Sequence, residues 1–264
     1  TMAFRDWSQL LILDNVANTG LGPGSTPQSG PPAASDLVSG APSISQAQVW
    51  ANYAIVSNEE RKRMGCAPRD ILIEQVQTAP VQSFNGSAGA QSFDIRFSHA
   101  IKVLFFGVRN KSISSEWSNY TAAQSVVDTS TINFTPAGAV DPILQTSLIY
   151  ENTPRLASMG SDYFSLIQPY FAAPVIPTVT GYHMYSYSLD FISLDPMGST
   201  NYGKLTNVSI VPEASTGAIT GAGTSASVTD GLNGTQAYDF IVTAVNNNII
   251  RISGGKNVPL TCVC

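Results

Sequence analysis

The sequence predicts an all-β protein folded as an antiparallel β-sandwich, and three observations carry this prediction. Short segments in which apolar and polar residues alternate recur along the chain, with the period of half-buried strands. Loops rich in Gly, Pro, Ser and Thr separate these segments. No segment longer than about ten residues has the apolar period of a helix. Many short strands with few helices are typical of β-sandwiches, of which jelly rolls are the commonest large form.

The first 47 residues differ in composition from the rest of the chain. An apolar segment at Leu10–Leu13 has nothing N-terminal to pair with, and we interpret residues 1–16 as the end of a preceding domain. Residues 17–47 contain ten Gly and Pro residues and a single charge, Asp36, which predicts a linker or an extended surface loop. The Lys-Ser/Thr pair of a phosphate-binding loop does not follow these glycines.

The sandwich itself is predicted over residues 48–255. It opens with a strand-like alternation at Val49–Ile55. A short helix follows, because Ser57 can cap its N-terminus, Glu60 completes a capping box and Gly65 can end it.

The remaining elements are mostly strands. The same alternation predicts them at 71–78, 92–97, 101–108, 125–133, 146–150, 182–194, 205–211, 238–245 and 249–252. The run Val103–Val108 is continuously apolar, which favours a strand that is buried on both faces. Pro154–Gly160 is predicted as a second short helix.

The charge content predicts a surface that other subunits cover. Charged residues make up 12% of the chain, about half of the roughly 25% usual for soluble domains. The net charge is −5, and the densest basic cluster, Arg61–Arg63, lies beside Glu59 and Glu60, as on an exposed helix face. Direct nucleic-acid binding is therefore not expected.

Cysteines and sequons are interpreted as incidental. Cys66, Cys262 and Cys264 are too few for a disulfide framework, and Cys66 is expected to fill space behind the helix. Six N-glycosylation sequons are expected to reflect the abundance of Asn, Ser and Thr in β-turns. They begin at Asn85, Asn110, Asn119, Asn133, Asn207 and Asn233.

No residues show the pattern of an enzyme or a metal site. His99 and His183 are not spaced as metal ligands, and no Gly-x-Ser-x-Gly nucleophile motif occurs. The carboxylates occur singly and form no acid–base pair. We therefore predict no catalytic, cofactor-binding or metal-binding residues.

Aromatic residues are the more informative group. Seven of them lie within 25 residues, at Tyr163, Phe164, Tyr170, Phe171, Tyr182, Tyr185 and Tyr187. They can serve as core, as contacts between subunits, where Tyr is enriched, or as a sugar-binding platform. Two functions follow, a structural subunit and a carbohydrate-binding β-sandwich that acts in host attachment. The candidate subunit contacts are Tyr170, Phe171, Pro174, Met197 and Tyr202.

Eight blocks of sequence carry a resemblance to a known family. They are Ser57–Arg61, Ile71–Gln75, Arg96–His99 with Leu104–Phe106, Ser118–Tyr120, Ser147–Leu156, Met159–Phe164, the turn and strand Asp195–Val208, and Ala244–Ile250. Together they resemble the major capsid proteins of iridoviruses, members of the double jelly-roll capsid family of large eukaryotic DNA viruses.

The resemblance implies a fold, a location and partners. Residues 48–255 would be the second of two tandem jelly rolls, 17–47 the connection, 1–16 the last strand of the first, and 256–264 an atypical tail. The family implies a homotrimer that forms a pseudo-hexagonal capsomer and tiles an icosahedral shell, assembled in the host cytoplasm. Implied partners are neighbouring capsomers and minor capsid proteins, with an internal membrane nearby but no insertion into it. The family has no catalytic residues and no cofactor.

Overall fold

The structure is a computed structural model that describes residues 46–86, 89–112, 118–123, 140–222, 236–252 and 261–262. The segments 1–16 and most of 17–47, the predicted strand at 125–133, and Asn133 and Asn233 lie outside the described residues, as does most of 256–264.

Within the described residues the chain forms strands and three α-helices. The strands are β1 (Arg69–Thr78), β2 (Gln82–Phe84), β3 (Phe93–Asp94), β4 (Ala100–Asn110), β5 (Ile143–Tyr150), β6 (Thr153–Gly160), β7 (His183–Ser186), β8 (Thr200–Asn201), β9 (Val208–Ala214), β10 (Tyr238–Ile252) and β11 (Thr261–Cys262). The helices are α1 (Asn58–Cys66), α2 (Gln168–Ala172) and α3 (Thr216–Ala222), with a π-helical turn at Tyr163–Ile167 and a 3₁₀ turn at Tyr202–Lys204.

The described strands form two antiparallel sheets. Sheet A has the order β1-β10-β4-β7, with β2 and β11 also paired to β10 and β8 paired to β4. Sheet B has the order β3-β9-β5-β6. Counted in chain order without the short β2, β8 and β11, the strands follow the orders 1-8-3-6 and 2-7-4-5. This is the connectivity of a jelly roll, and it confirms the predicted all-β sandwich.

The core lies between the inner faces of the two sheets. Leu104 and Phe106 of β4 and Phe240 of β10 are almost completely buried, and they face Leu148 and Ile210 of sheet B. Each such side chain contributes about 1.5–3 kcal/mol through burial. As predicted, β4 is buried on both faces along most of its length.

One irregularity in β4 matters for the outer face of sheet A. Val103 pairs with Val245 and Ile101 pairs with Asn246, so Lys102 is an extra residue with no partner of its own in β10. Such a β-bulge redirects side chains and strengthens the local twist. The side chain of Lys102 is completely buried.

The predicted N-terminal elements are partly confirmed. Helix α1 is present, and its cap Ser57 accepts a hydrogen bond from the backbone of Glu60 at 3.2 Å. The helix continues through Gly65, however, and Cys66 is exposed, so the prediction that Cys66 fills space behind the helix is wrong. The segment Val49–Ile55 is not a strand, because the described residues offer it no pairing partner.

The prediction of a helix at Pro154–Gly160 is also wrong. This segment belongs to β6, which pairs with β5 from Gln145 to Tyr150. Glu151 and Asn152 both have positive φ angles, as in a two-residue hairpin turn, and this turn returns the chain antiparallel to β5. Strand pairing therefore overrides the helical propensity of the Arg, Leu, Ala and Met in the segment.

Candidate functional site

A helical segment at the end of the sandwich presents apolar side chains to solvent. Residues 163–182 contain no charged residue, and they run from the π-helical turn through α2 to β7. Phe164 attaches this segment to the core, since its ring meets that of Phe106 edge-on at 5.2 Å. Pro169 is buried as well and lies in the first turn of α2, where proline is tolerated.

The opposite side of this segment carries the exposed residues. Tyr170 and Phe171 are 69% and 79% exposed, and their rings are perpendicular at 5.2 Å from each other. This exposed side is called the helical surface below. It consists of the side chains of Leu166, Ile167, Tyr170, Phe171, Pro174 and Val175. A contiguous apolar patch of this kind marks an interaction site, whereas scattered exposed apolar residues are normal.

The loop between β7 and β8 packs against the β4 part of the outer face of sheet A. The Lys102 ammonium forms an ion pair with Glu74 of β1 and donates a hydrogen bond to the Ser193 carbonyl at 2.9 Å. Phe191 of the same loop meets Phe105 edge-on at 5.9 Å. The buried lysine therefore ties the loop to the sheet.

The tip of this loop is held by local hydrogen bonds. The Asp190 side chain accepts a hydrogen bond from the backbone of Ile192 at 2.9 Å. Gly198 has a φ of +126°, and the backbone N–H of Leu189 donates to the Met197 carbonyl at 3.2 Å. Ile192 and Met197 remain about half exposed and Leu189 more so, which adds a second apolar region to the surface.

A groove of about 620 Å³ lies beside this loop. Leu72 and Ile249, which are cross-strand partners in β1 and β10, form one apolar wall, and Leu194 and Pro196 of the loop form the other. Its polar lining comes from Ser98, His99, Asn201, Lys204, Asn247 and Asn248. Among the described residues that line this groove there is no carboxylate.

The predicted subunit contacts separate into exposed and buried residues. Tyr170, Phe171, Pro174 and Met197 are exposed, so these four stay predictions. Tyr202 is only 3% exposed, and we withdraw it from the predicted contacts. Its ring turns inward from the 3₁₀ turn, because two neighbouring half-buried phenols offer its hydroxyl a partner.

Tyr150, Tyr187 and Tyr202 form a tyrosine triad that joins the two sheets. The hydroxyl of Tyr187 is hydrogen-bonded to that of Tyr202 at 2.7 Å and also to that of Tyr150. Burial raises the pKa of all three phenols, far above the ordinary value for Tyr187 and Tyr202, and the neighbouring phenols add to the shift for these two. The triad is therefore neutral across the physiological pH range.

The two histidines lie in separate structural positions. His183 is buried in β7, stacks on Phe106, and forms a hydrogen bond through Nε2 with Asp141 at 2.7 Å. His99 lies in the turn before β4, with a φ of +68°. Among the described residues, no three His, Cys, Asp or Glu side chains come together in a way that could hold a metal ion. In the same part of the chain, no helix is long and apolar enough to cross a membrane.

The described sequons differ in accessibility. Asn85 and Asn207 are exposed. Asn110 and Asn119 are each 1% exposed, and their side-chain amides both donate to the Ala123 carbonyl. A glycan cannot be accommodated on either of these two side chains in the folded chain.

Sequence reasoning missed the ion pair of Lys102 and the groove. The signal for the ion pair was present, since Lys102 interrupts an apolar strand and a buried lysine requires a partner. The partner, Glu74, is 28 residues away and could not be identified without the pairing of β1, β10 and β4. The groove depends on the same tertiary arrangement.

Comparisons with known proteins agree on one family. Residues 60–258 match the family model described as the large eukaryotic DNA virus major capsid protein. The major capsid protein of Costelytra zealandica iridescent virus is 61% identical over 253 residues, covering 96% of this chain and 54% of the relative. That of Lymphocystis disease virus 1 is 45% identical over 258 residues, covering 97% and 54%.

The fold has a counterpart among solved structures. The capsid of PBCV-1 virus contains a chain that superposes with a TM-score of 0.57 at 21% identity, covering 76% of this chain and 53% of that chain. This similarity shows the fold alone. The chain spans about half the length of the relatives it matches. With a matching family model over most of its length and relatives up to 61% identical, this chain belongs to the major capsid protein family of large eukaryotic DNA viruses.

Proposed function

We propose that this chain is a structural component of a virus capsid and acts by self-association. The family assignment and the rigid two-sheet sandwich support a mechanical role. Among the described residues, no three His, Cys, Asp or Glu side chains are grouped in a way that could hold a metal ion. In this proposal residues 48–255 are the second jelly roll of a capsid subunit that is located in the virion shell.

The helical surface is the observation that carries the proposal. Tyr170 and Phe171 expose most of their rings in a segment of twenty uncharged residues. Covering two such side chains contributes about 3–6 kcal/mol, at 1.5–3 kcal/mol each. Aromatic anchors of this kind dominate the energy of many protein interfaces. The same surface is the site at which copies of the chain form a homotrimer.

Substitution of an anchor tests this role. We expect the chain to elute as a trimer by size exclusion with light scattering, and Phe171→Ser to weaken association about 30-fold, the equivalent of a 2 kcal/mol interface anchor. Leu144→Ser is the control, since Leu144 is 52% exposed on sheet B and is not one of the residues of the helical surface.

Two results would contradict the proposal. A chain that stays monomeric at every concentration has no self-association surface. Retention of a monomer on a carbohydrate matrix, lost on removal of the Tyr170 and Phe171 rings, would favour the alternative of a carbohydrate-binding module for host attachment.

The wider partners extend the same proposal. Trimers form pseudo-hexagonal capsomers that tile an icosahedral shell, with neighbouring capsomers and minor capsid proteins as further contacts. The low charge of the chain, 12%, supports extensive covering by other subunits. Assembly takes place in the host cytoplasm. The internal membrane lies close to the shell, and the capsid protein is not inserted into it.

A further inference from the structure

We propose that the groove on sheet A receives the aromatic pair Tyr170–Phe171 of a second copy of this chain. This inference rests on the proposed self-association. It identifies the groove as the surface of one copy that contacts the helical surface of the next. It makes the subunit contact heterologous, with a projecting aromatic pair on one copy and a recess on the next.

The groove has the size and chemistry to hold this pair. Its volume of about 620 Å³ is within the 300–1,000 Å³ typical of binding clefts. The walls formed by Leu72, Ile249 and Pro196 suit aromatic rings. The described lining contains no carboxylate, and the charged side chain of Lys204 is exposed. An uncharged aromatic pair therefore enters without leaving a buried anion unpaired.

The polar rim matches the one polar group that the pair carries. Ser98, Asn201 and Lys204 are exposed at the groove, and each can form a hydrogen bond with a phenol hydroxyl. Tyr170 brings such a hydroxyl, whereas Phe171 is wholly apolar. Phe171 therefore belongs against the apolar walls and Tyr170 against the rim.

The pair of one copy cannot enter the groove of the same copy. Strand β4 separates the two surfaces, since Ala100 lines the groove and Phe106, six residues further on, contacts the base of the helical segment. Six residues of a strand span roughly 20 Å. Phe106 also faces the core, whereas Leu72 and Glu74 lie on the outer face of sheet A.

The outer face of sheet A supports this assignment independently. Antiparallel sheets commonly present polar residues on the side away from the core. Here Leu72, Val76 and Ile249 are 47%, 69% and 38% exposed on that side. An apolar outer face is stabilised when another molecule covers it.

A heterologous contact constrains the assembly. Head-to-tail contacts close into a ring or continue as an open chain, and a ring of three buries each aromatic pair and each groove. A two-fold dimer satisfies the same pairing only reciprocally, with the aromatic pair of each copy in the groove of the other. A ring of three is the closed form that agrees with the proposed homotrimer.

Mixed single-cysteine variants test the pairing in the full chain. In a background with Cys66→Ser, Cys262→Ser and Cys264→Ser, one protein carries Phe171→Cys and the other carries Leu72→Cys. A disulfide requires Cα atoms within about 7 Å, so oxidation reports direct proximity. After co-expression we expect cross-linked pairs that contain one copy of each variant, and little cross-linking when either variant is oxidised alone. Phe171→Cys mixed with Leu144→Cys is the control and should not cross-link.

A second variant guards against loss of folding. Leu72→Lys places a charge on an exposed wall of the groove, and we expect at least a tenfold weaker self-association with an unchanged thermal midpoint. Trimers that form without the 171–72 cross-link, or that cross-link equally to position 144, would overturn the pairing and leave the proposed function intact. Failure to self-associate in the unsubstituted chain would overturn both.

Discussion

Removal of the Glu74 carboxylate should destabilise the fold more than removal of its partner Lys102. The lysine side chain is completely buried, whereas that of Glu74 is 31% exposed. Glu74→Ala leaves a buried ammonium with the Ser193 carbonyl as its remaining described acceptor. Breaking a buried pair in this way costs about 3–5 kcal/mol, and partial access of water to the site places the expected loss near 3 kcal/mol. For a chain of this size that corresponds to a decrease in Tm of about 6–12 °C.

A double-mutant cycle measured by urea unfolding separates the pair from its surroundings. Lys102→Met should cost less than Glu74→Ala, because the glutamate left behind reaches solvent while the lysine does not. The double variant Lys102→Met, Glu74→Ala closes the cycle and should lose less stability than Glu74→Ala alone, because it leaves no buried ammonium without its carboxylate. A loss below about 1 kcal/mol for Glu74→Ala, or a larger loss for Lys102→Met, would refute this reasoning.

Two further predictions concern the tyrosine triad and a strained glycine. Burial raises the pKa of Tyr187 and Tyr202, so the folded state retains protons that the unfolded state releases; the free energy of unfolding should stay level up to about pH 10 and fall above it. Phenolate absorbance should show the triad ionising only as structure is lost, and ionisation within the folded chain would contradict this. Gly181→Ala should cost more than about 2 kcal/mol in urea unfolding, because φ is +95° and the new Cβ would lie 1.8 Å from the Tyr120 carbonyl oxygen. Gly65→Ala, in open space within α1, is the control and should stabilise by about 0.5–1 kcal/mol; equal effects at both positions would contradict the strain argument.

Local signals predicted some elements from the sequence well. Helix α1 follows from Ser57 and Glu60, three residues apart, because both partners of the cap lie within one turn. Strand β4 follows from the continuous apolar run at Val103–Val108, which suits burial on both faces. In each case the residues that determine the structure are adjacent in the chain.

Elements that depend on distant partners could not be predicted. Strand β6 is defined by its pairing to β5 rather than by its own propensity. Helix α3 contains Gly217 and Gly221, which disfavour a helix, and the remaining signal was Ser215, whose hydroxyl accepts a hydrogen bond from the backbone of Ala218 at 3.3 Å.

The same limit applies to the candidate site. Tyr170 and Phe171 were predicted as contacts from the clustering of aromatic residues in a chain of low charge, whereas the burial of Tyr202 depends on phenols from two other parts of the chain. Aromatic content thus indicates an interface, but only the tertiary structure separates exposed anchors from buried ones.

The arrangement of charge suits both a stable fold and the proposed self-association. Asp239 forms ion pairs with Arg109 and Lys111, and Asp70 with Arg251, so several charges of this sparsely charged chain are paired within it. Charges that are paired within one copy cause little repulsion between neighbouring copies. The exposed apolar side chains on the helical surface and on sheet A then favour contact between copies. Because these side chains lie outside the core, they can be covered without any rearrangement of the sandwich. The apolar residues of the core and those of the proposed contacts are therefore different sets, so the proposed association requires no change in the fold.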